Sequence, residues 1–462
     1  YRDFSIAKER DNFATAIAAS IVPEVTRLRT KEEIELHIAK AHEAFPAWRD
    51  EDPLVRSEVL VKAGDLMRQR RDELCGVVMQ EAGKTWREAD SEVCEAIDFC
   101  DYYARMAPPL FEYERLGEFI GELDQQFYQP RGVCAVISPW NFPSAICCGM
   151  TVAALVTGNT VLVKPAGQTV GIAKLICEIL WEAGAPKDVL HFVAGPGSII
   201  GSAMVRDPRV AVIAFTGSKG VGLDILEAAG QVPPNQPFVK KVVCEMGGKN
   251  AIIIDASADL DEAVLGVRQS AFGYQGQKCS ACSRVIVVDS AHDLFLERLI
   301  ESTRTLVIGD VMEPATDFGP VIDAGAAAEI KRYIEIGKSE GKLELAQPVP
   351  EGLEDKTGRD YIAPHIFSGI TRDHVIAQEE IFGPVLAVMR VKDFDEALEV
   401  ANSTEYKLTG AVFSRKPSNL EKARREFRVG NLYLNRGSTG ALVGRQPFGG
   451  FGMSGVGSKA GG

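Results

Sequence analysis

Histidine is scarce in this chain, with six in 462 residues, and none stands beside the single C-x-x-C pair, Cys279 and Cys282. A second C-x-x-C is missing too, which speaks against a structural zinc site. Positive charge is short as well: 51 Lys and Arg against 64 Asp and Glu give a formal net charge of −13. A nucleic-acid binder needs a basic face, so that class of partner is excluded. No apolar run is long enough to span a bilayer, and no basic-then-apolar leader opens the chain. Internal repeats and low-complexity linkers are absent, so the parts of the chain are expected to pack tightly against one another. The first residue is Tyr1 rather than Met, which leaves room for a preceding segment.

Cysteine is the exception to this scarcity, at ten. Most sit where a strand or helix wants a small apolar group: Cys134 in VCAVI, Cys147 and Cys148 beside Ile146, Cys177 in KLICEIL. With no secretory leader they read as reduced, buried thiols, and the expected compartment is the cytosol. The remaining composition, 46% hydrophobic and 25% charged, is that of a globular protein, long enough for two or more domains.

The first hundred residues read as helices. In KEEIELHIAKAHEAF the apolar positions Ile34, Ile38, Ala41 and Phe45 recur at helical spacing, and another helix runs from about Ser91 to Met106. From Phe111 to Gln129 that period is lost, and an extended or hairpin segment is expected. After Gly132, β-branched runs (VCAVIS, TVLVK, LHFVA, VAVIAFTG) alternate with helices such as GIAKLICEILWEAG, closed by Gly184. This alternation means βαβ units and a parallel sheet covered on both faces. A second series, with strands AIIID, SRVIVVD and VLAVMRV, runs to about Gly430, and the tail from Asn431 is Gly-rich and irregular.

Four segments could carry chemistry. FTGSKGVG, Phe215 to Gly222, places a glycine turn between a strand and a helix, where free N–H groups meet a phosphate. Its spacing departs from the dinucleotide fingerprint, and alone it is as readily an ordinary tight βα connection. GQKCSACSR surrounds Cys279 with glycine, lysine and small hydroxyls, suited to an accessible thiol activated by nearby positive charge. In ISPWNFP, Asn141 lies beyond a strand end, where its amide could donate to an oxyanion. In CEMGGKN, Glu245 ends a strand before two glycines, a place for a general base. Each of these, taken singly, is also an ordinary turn, buried thiol or solvated carboxylate.

Jointly, SPWNFP, KPAGQT, FTGS, CEMGGK, GQKCSACSR, EEIFGPV and QPFGGFGMSG follow the order and spacing of the aldehyde dehydrogenase superfamily, which the chain resembles from about Leu36 to Gly455. The resemblance implies an α/β fold: a Rossmann-type NAD-binding domain (1–110 and 132–245), an α/β catalytic domain (246–430), and bridging or oligomerisation segments (111–131 and 431–462). It implies that Cys279 attacks an aldehyde, that Asn141 and the Cys279 N–H hold the oxyanion, and that Glu245 activates water against the thioester. Lys164 and Glu380 would bind ribose hydroxyls, Phe382 would flank the nicotinamide, and Ser218 would lie near the pyrophosphate; Ser138, Trp140 and Gly217 complete the expected NAD site. No metal is implied. Gly167 departs from the pattern, since many NAD-preferring relatives carry Glu there.

Within the superfamily, EAIDFCDYYAR, SAFGYQGQKCSACSRVIV and the long stretch from Leu408 to Gly450 look most like the glutamate γ-semialdehyde (1-pyrroline-5-carboxylate) dehydrogenase branch. That likeness implies that Ser280 and the backbone of Gly440 and Ala441 dock the substrate carboxylate, with Phe448 packed on its chain. The branch forms homo-oligomers and also exists fused behind a flavin-dependent proline dehydrogenase, so fusion to, or channelling from, such a partner is allowed. A dehydrogenase for another small aldehyde such as succinate semialdehyde, an acylating enzyme ending on coenzyme A, and a non-catalytic NAD-binding protein on this fold are the competing readings.

Overall fold

The computed structural model describes residues 1–462 and contains two parallel-rich sheets with helices on both faces of each. Five helices come first: Ala7–Ala19, Lys31–Arg49, Pro53–Gln69, Arg71–Ala82 and Trp86–Met106. The second begins with a reciprocal cap, in which the Thr30 side chain accepts from the Glu33 N–H while the Glu33 carboxylate accepts from Thr30. Residues 111–128 include a short antiparallel hairpin, pairing Glu114–Arg115 with Gln125–Gln126.

The first sheet uses β1 (Val133–Ile137), β2 (Thr160–Lys164), β3 (Leu190–Phe192), β4 (Val210–Thr216) and β5 (Lys241–Glu245), in the order β5-β4-β1-β2-β3, all parallel. Strand periodicity explains its two covered faces. Cys134 and Val136 join the core built on helices Trp86–Met106, Ala145–Val156 and Val170–Glu182. Their neighbours Val133, Ala135 and Ile137 join the core built on helices Lys31–Arg49 and Lys219–Gly230. Strand order reverses between β1 and β4, and in open α/β sheets ligands bind at such a reversal, beyond the carboxyl ends.

The second sheet holds β6 (Asn250–Ile254), β7 (Cys282–Val288), β8 (Lys342–Ala346), β9 (His365–Ser368), β10 (Val385–Val391), β11 (Thr409–Phe413) and β12 (Asn431–Leu434), in the order β8-β9-β10-β7-β6-β11-β12. Only β8 runs antiparallel to its neighbour. Again alternation sorts the strands: Ile253, Ile286 and Met389 face one core, Ile252, Val285 and Val388 the other.

The tail differs from the irregular stretch expected of it. Its first four residues are β12, paired with β11. Further on, Phe451–Gly452 pairs with Tyr406–Lys407, and Gly455–Val456 pairs antiparallel with β5, adding an edge to the first sheet. Gly-rich composition hid these strands because most of their pairing is backbone to backbone.

Behind the nucleophile segment lies a fully buried cation, Arg284. Its guanidinium donates to the carbonyls of Lys249, Val400 and Ala401 at 2.9–3.1 Å, closing the end of helix Phe394–Ala401. Replacing Arg284 by Met orphans three buried carbonyls. In a urea titration we expect the variant to lose about 3–5 kcal/mol of unfolding free energy; a loss below about 1 kcal/mol would show that water replaces the guanidinium at little cost.

Candidate active site

The carboxyl edge of the first sheet meets the amino edge of the second. From the first come Ser138, Trp140 and Asn141 after β1, Lys164 at the end of β2, Gly217 and Ser218 after β4, and Glu245 at the end of β5. From the second come Cys279 and Ser280 before β7, and Glu380 and Phe382 before β10. Direct contacts join the two sets. The Asn141 amide donates to the Gln277 carbonyl at 3.1 Å, two residues before Cys279. The Trp140 and Phe382 rings meet edge to face, with centroids 5.4 Å apart. Phe382 holds a φ of 56°, a conformation a bulky residue adopts only when its surroundings impose it.

The segment after Glu245 is built for close approach. A Cβ on Gly247 would fall on the Glu380 carboxyl, and one on Gly248 would stand 2.5 Å from the Cys279 carbonyl oxygen. Glycine at both positions lets the Gly248 N–H donate to Glu380 at 2.8 Å. Next along, Asn250 donates to the carbonyls of Cys279 (2.7 Å) and Ala281 (2.9 Å) and accepts from the Thr409 N–H. Asn250 therefore fixes the nucleophile loop from behind. Its place in GGKN beside the base was the only sequence signal for it.

All ten cysteines are free, and only Cys94 and Cys279 retain partial exposure. Burial, then the carboxylates of Glu380 and Glu245, push the Cys279 thiol up to about 12, against the pull of the Ser280 and Cys279 N–H groups. This corrects the expected activation by Lys278. That lysine turns away to pair with Glu88 at 2.9 Å. Burial and the two carboxylates thus favour the neutral thiol over the thiolate. Glu245 is pushed up to about 8 by burial, with the Gly450 N–H and Lys459 opposing. Its carboxylate accepts from the Gly450 N–H at 3.3 Å, and Gly449 and Gly455 leave it room.

A buried ion pair stands behind the turn that carries Asn141. Lys84 and Glu92, both fully buried, pair at 2.7 Å. Glu92 also accepts from the Ser144 N–H at 2.7 Å, at the start of helix Ala145–Val156, and the Lys84 ammonium lies over the Phe142 and Tyr274 rings. Glu92 thereby anchors the turn that presents Asn141. The pair was not legible in sequence, because Lys84 looks like an ordinary charge in the turn between two helices and Glu92 like one on a charged helix.

The predicted cofactor residues of the first sheet stand at or just beyond its strand ends, and Glu380 reaches the segment that follows β5. Lys164 is buried, and its ammonium reaches only the Pro165 carbonyl at 3.3 Å. Ser138 carries a buried hydroxyl without a partner, and burial lifts the Glu380 carboxyl to about 7. Underused polar groups beyond a strand-order reversal suit a ligand rich in hydroxyls and phosphates. Ser218 stands at the N-cap of helix Lys219–Gly230 without a side-chain cap bond, and a helix N-terminus favours negative charge. The neighbouring glycines answer to packing, since a Cβ at Gly217 would strike the Phe215 ring and one at Gly222 would strike Met246. That accounts for a spacing unlike a phosphate fingerprint.

Of the predicted substrate residues, Ser280 is bonded to the loop that carries Gly440 and Ala441. The Ser280 carbonyl accepts from the Thr409 and Ser438 hydroxyls, both at 3.3 Å, and the Ser438 N–H donates to Ser270. Loop 438–441 is thereby tied to the nucleophile segment. Arg436 takes up the carbonyls of Thr439 and Gly440, while the N–H groups of Gly440 and Ala441 donate to no protein acceptor. Phe448 is half-buried and backbone-paired with Ala460.

Comparison with known proteins agrees with this geometry. Residues 16–462 match the model of the aldehyde dehydrogenase family. The chain is 51% identical over 432 residues to a 1-pyrroline-5-carboxylate dehydrogenase of Geobacillus thermodenitrificans, covering 94% of this chain and 83% of that one. Its structure superimposes on 1-pyrroline-5-carboxylate dehydrogenase from Thermus with bound NAD at a TM-score of 0.94 and 43% identity, covering 100% of this chain and 95% of the other. Proline utilization A from Bdellovibrio bacteriovorus gives a TM-score of 0.96 at 43% identity; this chain is wholly covered and spans 51% of that longer protein. No helix is long and apolar enough to cross a membrane.

Proposed function

The chain belongs to the aldehyde dehydrogenase family, and from that premise we propose that it oxidises L-glutamate γ-semialdehyde, the open form of 1-pyrroline-5-carboxylate, to L-glutamate with NAD. The observation that carries the substrate is loop 438–441, bonded to the nucleophile segment and offering two unused N–H donors beside Ser280. Such donors suit a carboxylate held at one end of a short molecule while its aldehyde reacts at the other.

The residues then act in order. Cys279 adds to the aldehyde carbon, its thiol proton passing to water as the C–S bond forms, and gives a thiohemiacetal. The alkoxide is held by the Asn141 amide and the Cys279 N–H. NAD, when bound, supplies the acceptor for the hydride that leaves this carbon. Lys164 and Glu380 would hold its ribose hydroxyls, Ser138, Gly217 and Ser218 its phosphate side, and Trp140 and Phe382 its nicotinamide side. The thioester left on Cys279 is hydrolysed by water from which Glu245 takes a proton. Ser280, Gly440 and Ala441 keep the carboxylate in place, and Phe448 packs on the chain between the two ends.

The test is an NADH assay with 1-pyrroline-5-carboxylate beside succinate semialdehyde. We expect kcat/KM for the former to be higher by about 100-fold or more, because succinate semialdehyde is one carbon shorter and cannot bring its carboxylate to loop 438–441 while its aldehyde reaches Cys279, which forfeits two to three charge-assisted hydrogen bonds. Equal turnover of both would remove the substrate assignment and leave the family chemistry standing.

Assembly follows the same reading. Hairpin 111–128 exposes Phe119 and Ile120 at 69% and 99%, together with Leu116 and Leu123, an apolar surface fit for a second copy of the chain. Fusion to a proline dehydrogenase, or channelling from one, is supported by the resemblance to proline utilization A. Ten free thiols fit a reducing compartment such as the cytosol.

A further inference from the structure

The loop that offers the Gly440 and Ala441 donors is tied at both ends. At one, the Ser438 hydroxyl and N–H bond to the Ser280 carbonyl and the Ser270 hydroxyl; at the other, the Leu442 N–H donates to Gln446 at 2.9 Å. Between these ties, Thr439, Gly440 and Ala441 take part in only two hydrogen bonds, and both come from one nitrogen of Arg436. Its Nη2 donates to the Thr439 carbonyl at 2.7 Å and to the Gly440 carbonyl at 3.1 Å. The guanidinium lies over the Tyr433 ring, 4.5 Å from its centroid, and forms no salt bridge. A peptide unit is planar, and in its trans form, the only one present, C=O and N–H point in opposite directions. The Thr439 carbonyl shares a plane with the Gly440 N–H, and the Gly440 carbonyl shares one with the Ala441 N–H. A single nitrogen that holds both carbonyls therefore turns both N–H groups to its far side. The chain can make this turn because Gly440 takes a φ of 76°.

We propose that Arg436 is a positioning residue for the substrate carboxylate: it fixes the Gly440 and Ala441 N–H donors from behind and leaves the contact with substrate to them. The proposal rests on the reading that these two donors take the carboxylate. Two effects add. The loop is held in its binding shape before substrate arrives, so less ordering is lost on binding. A cation on each carbonyl also polarises the N–H of the same amide and makes it a stronger donor to an anion.

The test compares 1-pyrroline-5-carboxylate with pentanal, an aldehyde of the same carbon count that has no carboxylate, in the wild type, Arg436→Gln and Arg436→Lys. Arg436 is half-exposed, so neither change removes a buried ion pair, and the pentanal rate reports whether the nucleophile remains in place. Glutamine lacks the charge and the reach to hold both carbonyls. In Arg436→Gln, kcat/KM for 1-pyrroline-5-carboxylate should fall by about tenfold or more, chiefly through KM, while that for pentanal stays within about twofold. Inhibition of pentanal oxidation by L-glutamate, which carries the same carboxylate, should weaken by about tenfold as well. Arg436→Lys, whose ammonium can still donate to both carbonyls, should recover most of the preference. An equal fall for both aldehydes would make Arg436 a merely structural residue, and an unchanged ratio would make it idle; either overturns the proposal. A wild type that does not prefer 1-pyrroline-5-carboxylate to pentanal and is not inhibited by L-glutamate would instead strike the carboxylate reading beneath it.

Discussion

Replacing Cys279 by alanine is expected to lower NADH production from aldehyde by at least about 10³-fold, because no other group can form the covalent adduct. Nothing in the neighbourhood can substitute for it. Cys282 is buried, with its sulfur turned to the Arg284 carbonyl of its own strand. Ser280 lies beside the nucleophile, but a neutral hydroxyl is a far weaker one. The variant should still bind NADH, since the residues assigned to the cofactor stand on other strands, so a fluorescence titration separates lost chemistry from lost structure. Turnover near the wild-type rate would sink the covalent mechanism.

Glu245→Gln should separate the two halves of the reaction. Hydride leaves before water enters, so the variant is expected to release about one NADH per site rapidly and then stall, with a steady rate lower by about 10²–10⁴-fold. Stopped-flow absorbance resolves burst from steady state. In the wild type, burial raises the carboxyl to about 8. Below that pH the base is protonated and silent; above it the base is ionised, so deacylation should speed up as pH rises through about 8. The Gln variant should lose that rise. A steady rate in the variant equal to that of the wild type, with the same pH profile, would assign the base elsewhere.

Periodicity carried the fold a long way. Val133 to Ile137 and Ala251 to Ile254 read as buried strands because apolar residues run through them without a break, and helix Lys31–Arg49 announced itself by its apolar stripe. The strands of the tail were hidden, because Gly455–Val456 has little side chain with which to show a period. For the site, residues that act through their own atoms, Cys279, Asn141 and Glu245, stood in recognisable short segments. Those that act by holding others did not. Asn250, Arg284 and the Lys84–Glu92 pair gain meaning only from partners far along the chain, and no local pattern encodes such distances. The Lys278 expectation failed for the same reason, since its partner Glu88 lies on a helix nearly two hundred residues away.

The return of the tail to β5 has a mechanical meaning. A polypeptide that passes once between two bodies makes a hinge, whereas one that passes, returns and is hydrogen-bonded at both ends makes a brace. Here the outward passage is the short run from Glu245 to Asn250, and the way back ends with Gly455 paired to Glu245 itself. Outward and return passages thus meet at the same residue. Swinging the two halves apart would strip the general base of a neighbour on one side while pulling its strand from the other. A framework tied in this way resists opening, and the Glu245 backbone keeps its place between β4 and the returning tail strand.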